Sequence, residues 1–383
     1  MAFPAAGWFS QPIDRRQFIS RASRGAGLVT AASLAASCFP GNRNGVADGL
    51  VWRSPTLEPF VDLLPIPSRL AKPSTLVAHN ATHRFHRDLP LVPTFAYGPE
   101  TYFGPVVEAT TGEALALTVV NSLGQHPLAD AVDTTLSEVT DHDRAHPRLS
   151  HHLHGGVTAP GDDGHPMDTF MAPDHKTYHY QNRQDASGLW FHDHSMGITR
   201  LNVYAGLAGN YWLRDQWDTG ESSNPLGLPS GEFEIPLVIA DRGFNTDGTL
   251  RMRLVTFVAE GSWEGGMIGD VATVNGAVWP TLEVARGLYR FRVLNASNLT
   301  RFQLSLSNGA RFSLLGSDLG FANAPTSTAI INLSAGERAD VLVDFRGSAP
   351  GDEIIMRNTA PIPGQAEIWG AHIIPNVMKF RVT

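Results

Sequence analysis

Beyond Trp52 the chain is a succession of short stretches in which apolar and polar residues alternate, separated by glycine, proline, asparagine and aspartate. Alternation with a period of two marks a strand with one buried face, and no long segment carries the 3.6-residue period of an amphipathic helix. Ala114 to Asn121 (ALALTVVN) predicts one strand and Leu288 to Leu294 (LYRFRVL) another. Phe302, Leu304 and Leu306 then alternate with polar partners, and Asn308-Gly309 precedes Phe312 and Leu314. That order predicts a hairpin closed by a type I′ turn, because Asn-Gly readily supplies the two positive φ angles. Val341 to Phe345, Ile354 to Met356 and Met378 to Val382 continue the series. The polar stretch Asp215 to Pro229 (DQWDTGESSNPLGLP) interrupts it and predicts a linker. The expected fold class is therefore all-β, with one sandwich over residues 48–215 and a second over 230–383.

Composition agrees with this and narrows the function. At roughly 150 residues per domain, 383 residues suffice for two to three cores. A net charge of −8 without a long basic run argues against nucleic acid as a partner, since phosphate binding needs clustered Lys and Arg. Cys38 is the single cysteine, which excludes an intrachain disulfide and a thiolate metal ligand in the folded body.

The first 47 residues read as an address. Asp14-Arg15-Arg16-Gln17-Phe18-Ile19 sets two arginines before the weakly apolar Gly25 to Ala36, the order of an export signal of the bacterial twin-arginine route. Cleavage is expected near Ala36 or Ala47, and the mature protein is expected in the periplasm or otherwise outside the cytoplasm. Ala35-Ala36-Ser37-Cys38 also resembles a lipobox. Cys38 is thus either discarded or a lipid anchor, and only the second case brings a membrane into play.

The chemistry concentrates in the histidines. Ten of 15 lie between His142 and His194, where an even spread would put about two. His152-Leu153-His154 and His192-Asp193-His194 are both His-x-His, so on strands both imidazoles of each pair project from one face. One pair could share a metal or bridge two, and two such pairs on adjacent strands would gather four imidazoles around one cavity, suited to Cu, Zn, Fe or Ni. His151 should face the other way. His142 and His146 read as solvated, and His165, His175 and His179 as surface groups or supports of the ligands. His79, His83, His86, His126 and His372 suggest no role. Asp163, shortly after the first pair, reads equally as a turn residue before Gly164 and as a proton-handling carboxylate near the metals.

These residues resemble a family. His152-Leu153-His154-Gly155 and Leu189-Trp190-Phe191-His192-Asp193-His194 are similar to the first two copper motifs of multicopper oxidases. Thr199 to Gly209, Phe85 to Pro90, Val274-Asn275-Gly276 and Arg290 to Asn298 extend the match, most closely to the laccase-like branch of spore-coat laccase and bilirubin oxidase. The resemblance implies cupredoxin-like sandwiches, copper as cofactor, and dioxygen and a small reducing substrate as partners. It implies His152 as a type 2 copper ligand, His154, His192 and His194 as type 3 ligands, and Asp163 as an acid in proton delivery. Enzymes of this type oxidise phenolic or similar substrates and reduce dioxygen to water.

The resemblance stops short of the family's third domain, whose His-Pro-x-His-x-His and His-Cys-His motifs do not occur here. Half of the type 2 and type 3 ligands are present and no type 1 site is. The chain alone is therefore expected to be inactive as an oxidase, its remainder lost or separately encoded. The competing expectation is a stand-alone periplasmic copper-binding or scaffold protein. A zinc hydrolase, a cupin and a two-domain oxidase each require a ligand that the sequence does not offer.

Overall fold

The computed structural model describes residues 53–252, 267–361 and 374–383. The export segment, Cys38 and His372 lie outside the described residues. Among the described residues the regular elements are almost all strands. The first group is β1 (Arg69–Ala71), β2 (Thr75–His83), β3 (Val92–Tyr97), β4 (Val106–Thr110) and β5 (Leu115–Ser122). It continues with β6 (His151–His154), β7 (His175–Tyr180), β8 (Gly188–Asp193) and β9 (Ala208–Arg214). These form two sheets, ordered β1-β4-β9-β8-β6 and β3-β2-β5-β7. Their inner faces enclose one core that includes Phe95, Leu117, Leu153, Tyr178, Phe191 and Tyr211.

The second group runs β10 (Glu234–Arg242), β11 (Val271–Val274), β12 (Ala277–Val278), β13 (Thr281–Val284), β14 (Leu288–Asn295) and β15 (Phe302–Leu306). It ends with β16 (Phe312–Ser317), β17 (Gly320–Thr328), β18 (Ile331–Leu333), β19 (Arg338–Asp344), β20 (Glu353–Asn358) and β21 (Asn376–Val382). The sheets are β12-β11-β10-β14-β19-β16-β17 and β13-β21-β20-β15-β18, around a second core of Phe291, Phe302, Phe312, Phe345, Met356 and Phe380. The chain is thus all-β, in cupredoxin-like sandwiches. Parallel pairs such as β4 with β9 and β10 with β14 arise because the chain crosses between layers before returning.

Two expectations need correcting. The alternating runs around Asn308-Gly309 are strands, but they are not a hairpin: β15 pairs with β18 and β20, whereas β16 pairs with β17 and β19. Both runs bury apolar residues in the second core, one from each layer, and the turn carries the chain between sheets. Gly309 alone has a positive φ there, 75°. The tight Asn-Gly turn occurs instead at Asn275-Gly276, with φ of 49° and 87°, closing β11 onto β12.

The stretch 215–229 is also more than a connector. Asp218 within it is 2% exposed and belongs to a buried ionic cluster between the sandwiches. Its carboxylate accepts from Arg290 Nη1 at 2.7 Å, Arg290 Nη2 at 2.9 Å and Arg292 Nη2 at 2.6 Å. Glu234 accepts from both Arg214 Nη atoms, at 2.9 and 2.8 Å, and from Arg292 Nε at 2.8 Å. Trp212 lies in this cluster, with the guanidiniums of Arg292, Arg69 and Arg214 at 4.6, 4.9 and 5.1 Å from its ring. The arm before β1 adds a second fastening, since Phe60 and Leu64 donate their amides to the carbonyls of Trp279 and Thr281. Apolar contact continues across the seam, as Val238, Ala240 and Phe244 pack into the first core.

Candidate metal centre

β6 is the edge strand of its sheet and pairs antiparallel with β8, in a register that sets His152 opposite His192 and His154 opposite Trp190. The period of two then decides the faces. His151, Leu153 and Phe191 turn inward, at 0%, 2% and 0% exposure. His152, His154, Trp190 and His192 share the outer face. His194 follows β8 and prolongs its line, donating its amide to the Ser150 carbonyl at 2.8 Å.

The four imidazoles meet. Ring centroids of His152 lie 4.9 Å from His194 and 5.3 Å from His192, and those of His154 and His192 are 5.5 Å apart. Ligand nitrogens of His152, His154 and His192 fall within 4.8 Å of one another, and His154 Nδ1 stands 3.3 Å from His192 Nε2. Backbone carbonyls set two tautomers. His152 Nδ1 donates to the Asp163 carbonyl at 2.6 Å and His192 Nδ1 to the Asp193 carbonyl at 2.7 Å. A carbonyl can only accept, so Nε2 of each ring keeps a free lone pair. The Nδ1 atom of His194 is buried without a protein partner. Burial lowers the pKa of His152 and His192, and lowers that of His154 to about 4 with help from the nearby Arg338 charge. The rings of His152, His154 and His192 are therefore neutral at pH 7, the state a transition metal requires. His152, His154 and His192 could together hold a metal ion, and neutral imidazoles without a thiolate suit copper.

Asp163 stands beside this group. Its carboxylate lies 3.6 Å from His152 Nδ1, accepts from Thr158 Oγ1 at 2.7 Å and is 47% exposed. It ends a short 3-10 turn, Pro160–Asp162, that folds back on β6. Gly164 makes that fold possible: φ is 74°, and a Cβ there would lie 2.3 Å from the His151 carbonyl oxygen. Gly164→Ala should therefore push the loop off β6, loosen His152 and weaken copper binding by about 10–100-fold. A chelator-competition titration measures this.

Several supports were not visible in the pattern. Trp190 packs against His192 at 4.3 Å and His154 at 4.9 Å between ring centroids. Its position two residues before His192 was the available signal. Asp193, fully buried, ties β6, β8 and the helix Thr199–Ala205 together. It accepts from Ser150 N at 3.0 Å, Ser195 Oγ at 2.8 Å and Asn202 Nδ2 at 2.9 Å. Burial pushes its carboxyl up and these donors restrain the rise. Asn202 also accepts from the buried His126 at 3.0 Å, so His126 is a structural strut. From the second sandwich, Arg338 donates to the Gly188 carbonyl at 3.1 Å, and a Cβ on Gly336 would lie 3.4 Å from His154. His165, His175 and His179 are exposed, as are His142 and His146.

Comparison with known proteins bears on this arrangement. The multicopper oxidase family model matches residues 247–367. The chain is 37% identical over 350 residues to a laccase of Bacillus subtilis, covering 86% of this chain and 66% of the relative. It is 38% identical over 333 residues to multicopper oxidase LPR1 of Arabidopsis thaliana, covering 80% of this chain and 56% of that one. The chain thus spans 66% and 56% of the lengths of these two relatives. Among solved structures, the McoA multicopper oxidase of Aquifex aeolicus superposes with a TM-score of 0.69 at 27% identity, over 84% of this chain and 65% of that one. Sequence, fold and the imidazole face of β6 and β8 agree, and the chain belongs to the laccase-like branch of the multicopper oxidase family.

Proposed function

We propose that this chain is an exported copper protein in which His152 holds a type 2 copper and His154, His192 and His194 hold a type 3 pair. In the completed enzyme it takes part in oxidising phenolic or similar small substrates. The observation that supports this reading is the single face carrying four imidazoles, two with Nε2 freed by carbonyl contacts at Nδ1. Copper, when bound, would supply the electron transfer from reducing substrate to dioxygen that yields water. The chain's own residues free Nε2 of His152 and His192, pack Trp190 against His154 and His192, and set the half-exposed Asp163 carboxylate beside His152. At its carboxyl oxygens Asp163 would hold and pass the protons that water formation consumes. A type 1 copper needs a thiolate, and Cys38 falls in the segment read as an export signal. Electron entry and the remaining imidazoles are therefore assigned to a further domain outside these 383 residues.

The test joins two measurements. The purified chain should bind copper without consuming oxygen in the presence of a phenol, and the coding DNA beyond Thr383 should carry the His-Pro-x-His-x-His and His-Cys-His motifs. Co-expression of that sequence should restore oxygen uptake. Turnover by the 383-residue chain alone overturns the proposal, as does a failure to bind copper. Copper binding with no such coding sequence favours a stand-alone copper-binding protein instead. In a bacterial host the chain should leave the cytoplasm, and exchanging both Arg15 and Arg16 for lysine should retain it there.

A further inference from the structure

The seam between the sandwiches holds a small cavity of about 10 Å³, room for one water-sized species. Gly188, Asn210 and Trp212 line it from the first sandwich, and Arg292, Arg338 and Asp340 are among its walls in the second. Ser317, another of its lining residues, is exposed. Positions 210 and 212 of β9 share a face by the strand period, and that face meets β14 across the seam.

Three donors of the lining are unpartnered. Arg292 Nη1, Trp212 Nε1 and Asn210 Nδ2 are all buried and have no acceptor within the protein. Their residues are 4%, 0% and 3% exposed. Indole and guanidinium nitrogens can only donate, so three donors converge on one small space. Leaving such donors unpaired is costly in a folded protein, and each implies a partner. The one carboxylate of the lining, Asp340, is already engaged by Arg290 through Nε at 2.9 Å and through Nη2. A water that accepts from these donors must still place two hydrogens of its own. A monatomic anion accepts from all three and has no hydrogens of its own to place, while the charge of Arg292 is already met by Glu234 and Asp218 and that of Arg338 by Asp318.

We propose that this cavity is a binding site for a single small halide, chloride in the cell, held between Arg292, Trp212 and Asn210. The ion joins β9 of one sandwich to β14 of the other. It sits beside Gly188, two residues before Trp190 on the strand that carries His192. None of the metal-binding histidines lines the site, and it does not depend on the copper reading.

Crystals of the full chain grown in sodium bromide should show an anomalous peak among Arg292 Nη1, Trp212 Nε1 and Asn210 Nδ2. In solution, exchanging gluconate for chloride at constant ionic strength should raise the melting midpoint saturably, by roughly 2–4 °C. Trp212→Phe keeps an aromatic ring and removes the donor; Asn210→Leu removes another without touching the ring. Each should flatten the chloride response whatever it does to the midpoint itself. Density for water alone in both salts, an adventitious ion only at other sites, or a chloride response that survives in both variants overturns the proposal.

Discussion

Replacing His192 with alanine should lower copper affinity by more than about 100-fold and leave the all-β fold in place. His192 faces His152 across the β6–β8 register, stands 3.3 Å from His154 Nδ1 at its Nε2, and is the most buried of the four rings. Disturbing the groups that merely orient ligands typically costs 10–100-fold, so removing the central ligand exceeds the upper end of that range. The informative contrast is His151, adjacent to His152 in sequence but turned into the core, with both ring nitrogens buried and unpartnered. Burial holds its pKa near 3, so it is neutral there. His151→Phe should leave copper affinity within a few-fold of the original and keep or raise stability, because it removes unsatisfied polar atoms at similar volume. Copper-competition titration together with thermal melting reads both outcomes. Equal loss of copper in the two variants would show that the face assignment is wrong.

The second large effect is on stability. Glu234→Gln should destabilise the chain by about 3–5 kcal/mol, the usual cost of removing one partner from a buried ionic cluster. The amide preserves shape but leaves Arg214 and Arg292 facing a neutral group at 2.8–2.9 Å. Burial alone would raise the pKa of Glu234, but the Arg292 and Arg214 guanidiniums outweigh it and hold it down to about 2. Asp218 is likewise held far below the usual carboxylate range, by Arg290, Arg292 and Arg214 against the effect of burial. For a carboxylate depressed by folding, the stabilisation is complete above the unfolded pKa near 4.5 and is lost as pH falls through about 2. Thermal midpoints measured from pH 6 down to 2 should therefore drop steeply below pH 4.5, and Glu234→Gln should show a shallower decline from a lower start. A variant as stable as the original, with the same acid limb, would remove the cluster from any role in holding the seam.

Both predictions depend on features of different legibility. The two His-x-His pairs could be assigned a face from the strand period alone, because side chains on a pleated strand alternate whatever lies around them. The same local rule marked β5, β14, β19, β20 and β21, and placed His151 away from its neighbours. A turn motif proved less portable. Asn-Gly makes the tight hairpin at Asn275-Gly276, yet at Asn308-Gly309 the same dipeptide sends the chain to another sheet. The dipeptide limits only φ, while the choice of pairing partner belongs to the core that both strands must cover.

What local pattern could not supply was everything set by contact between distant segments. The β6–β8 register, which decides that His152 meets His192 and His154 meets Trp190, depends on packing across the whole sheet. Gly336 and Arg338 reach the imidazoles from the second sandwich, far along the chain, and nothing near them in sequence points to a metal. Asp218 sits in a stretch whose composition reads as a solvated linker. Its carboxylate is buried because four strands bring Arg214, Arg290, Arg292 and Glu234, and Asp340 beside them, to one place, where a carboxylate in the connector meets their charge. Periodicity is a property of neighbours along the chain and survives in the bare sequence; charge pairing, register and the closing of a cavity are properties of neighbours in space, and exist only once the two sandwiches have met.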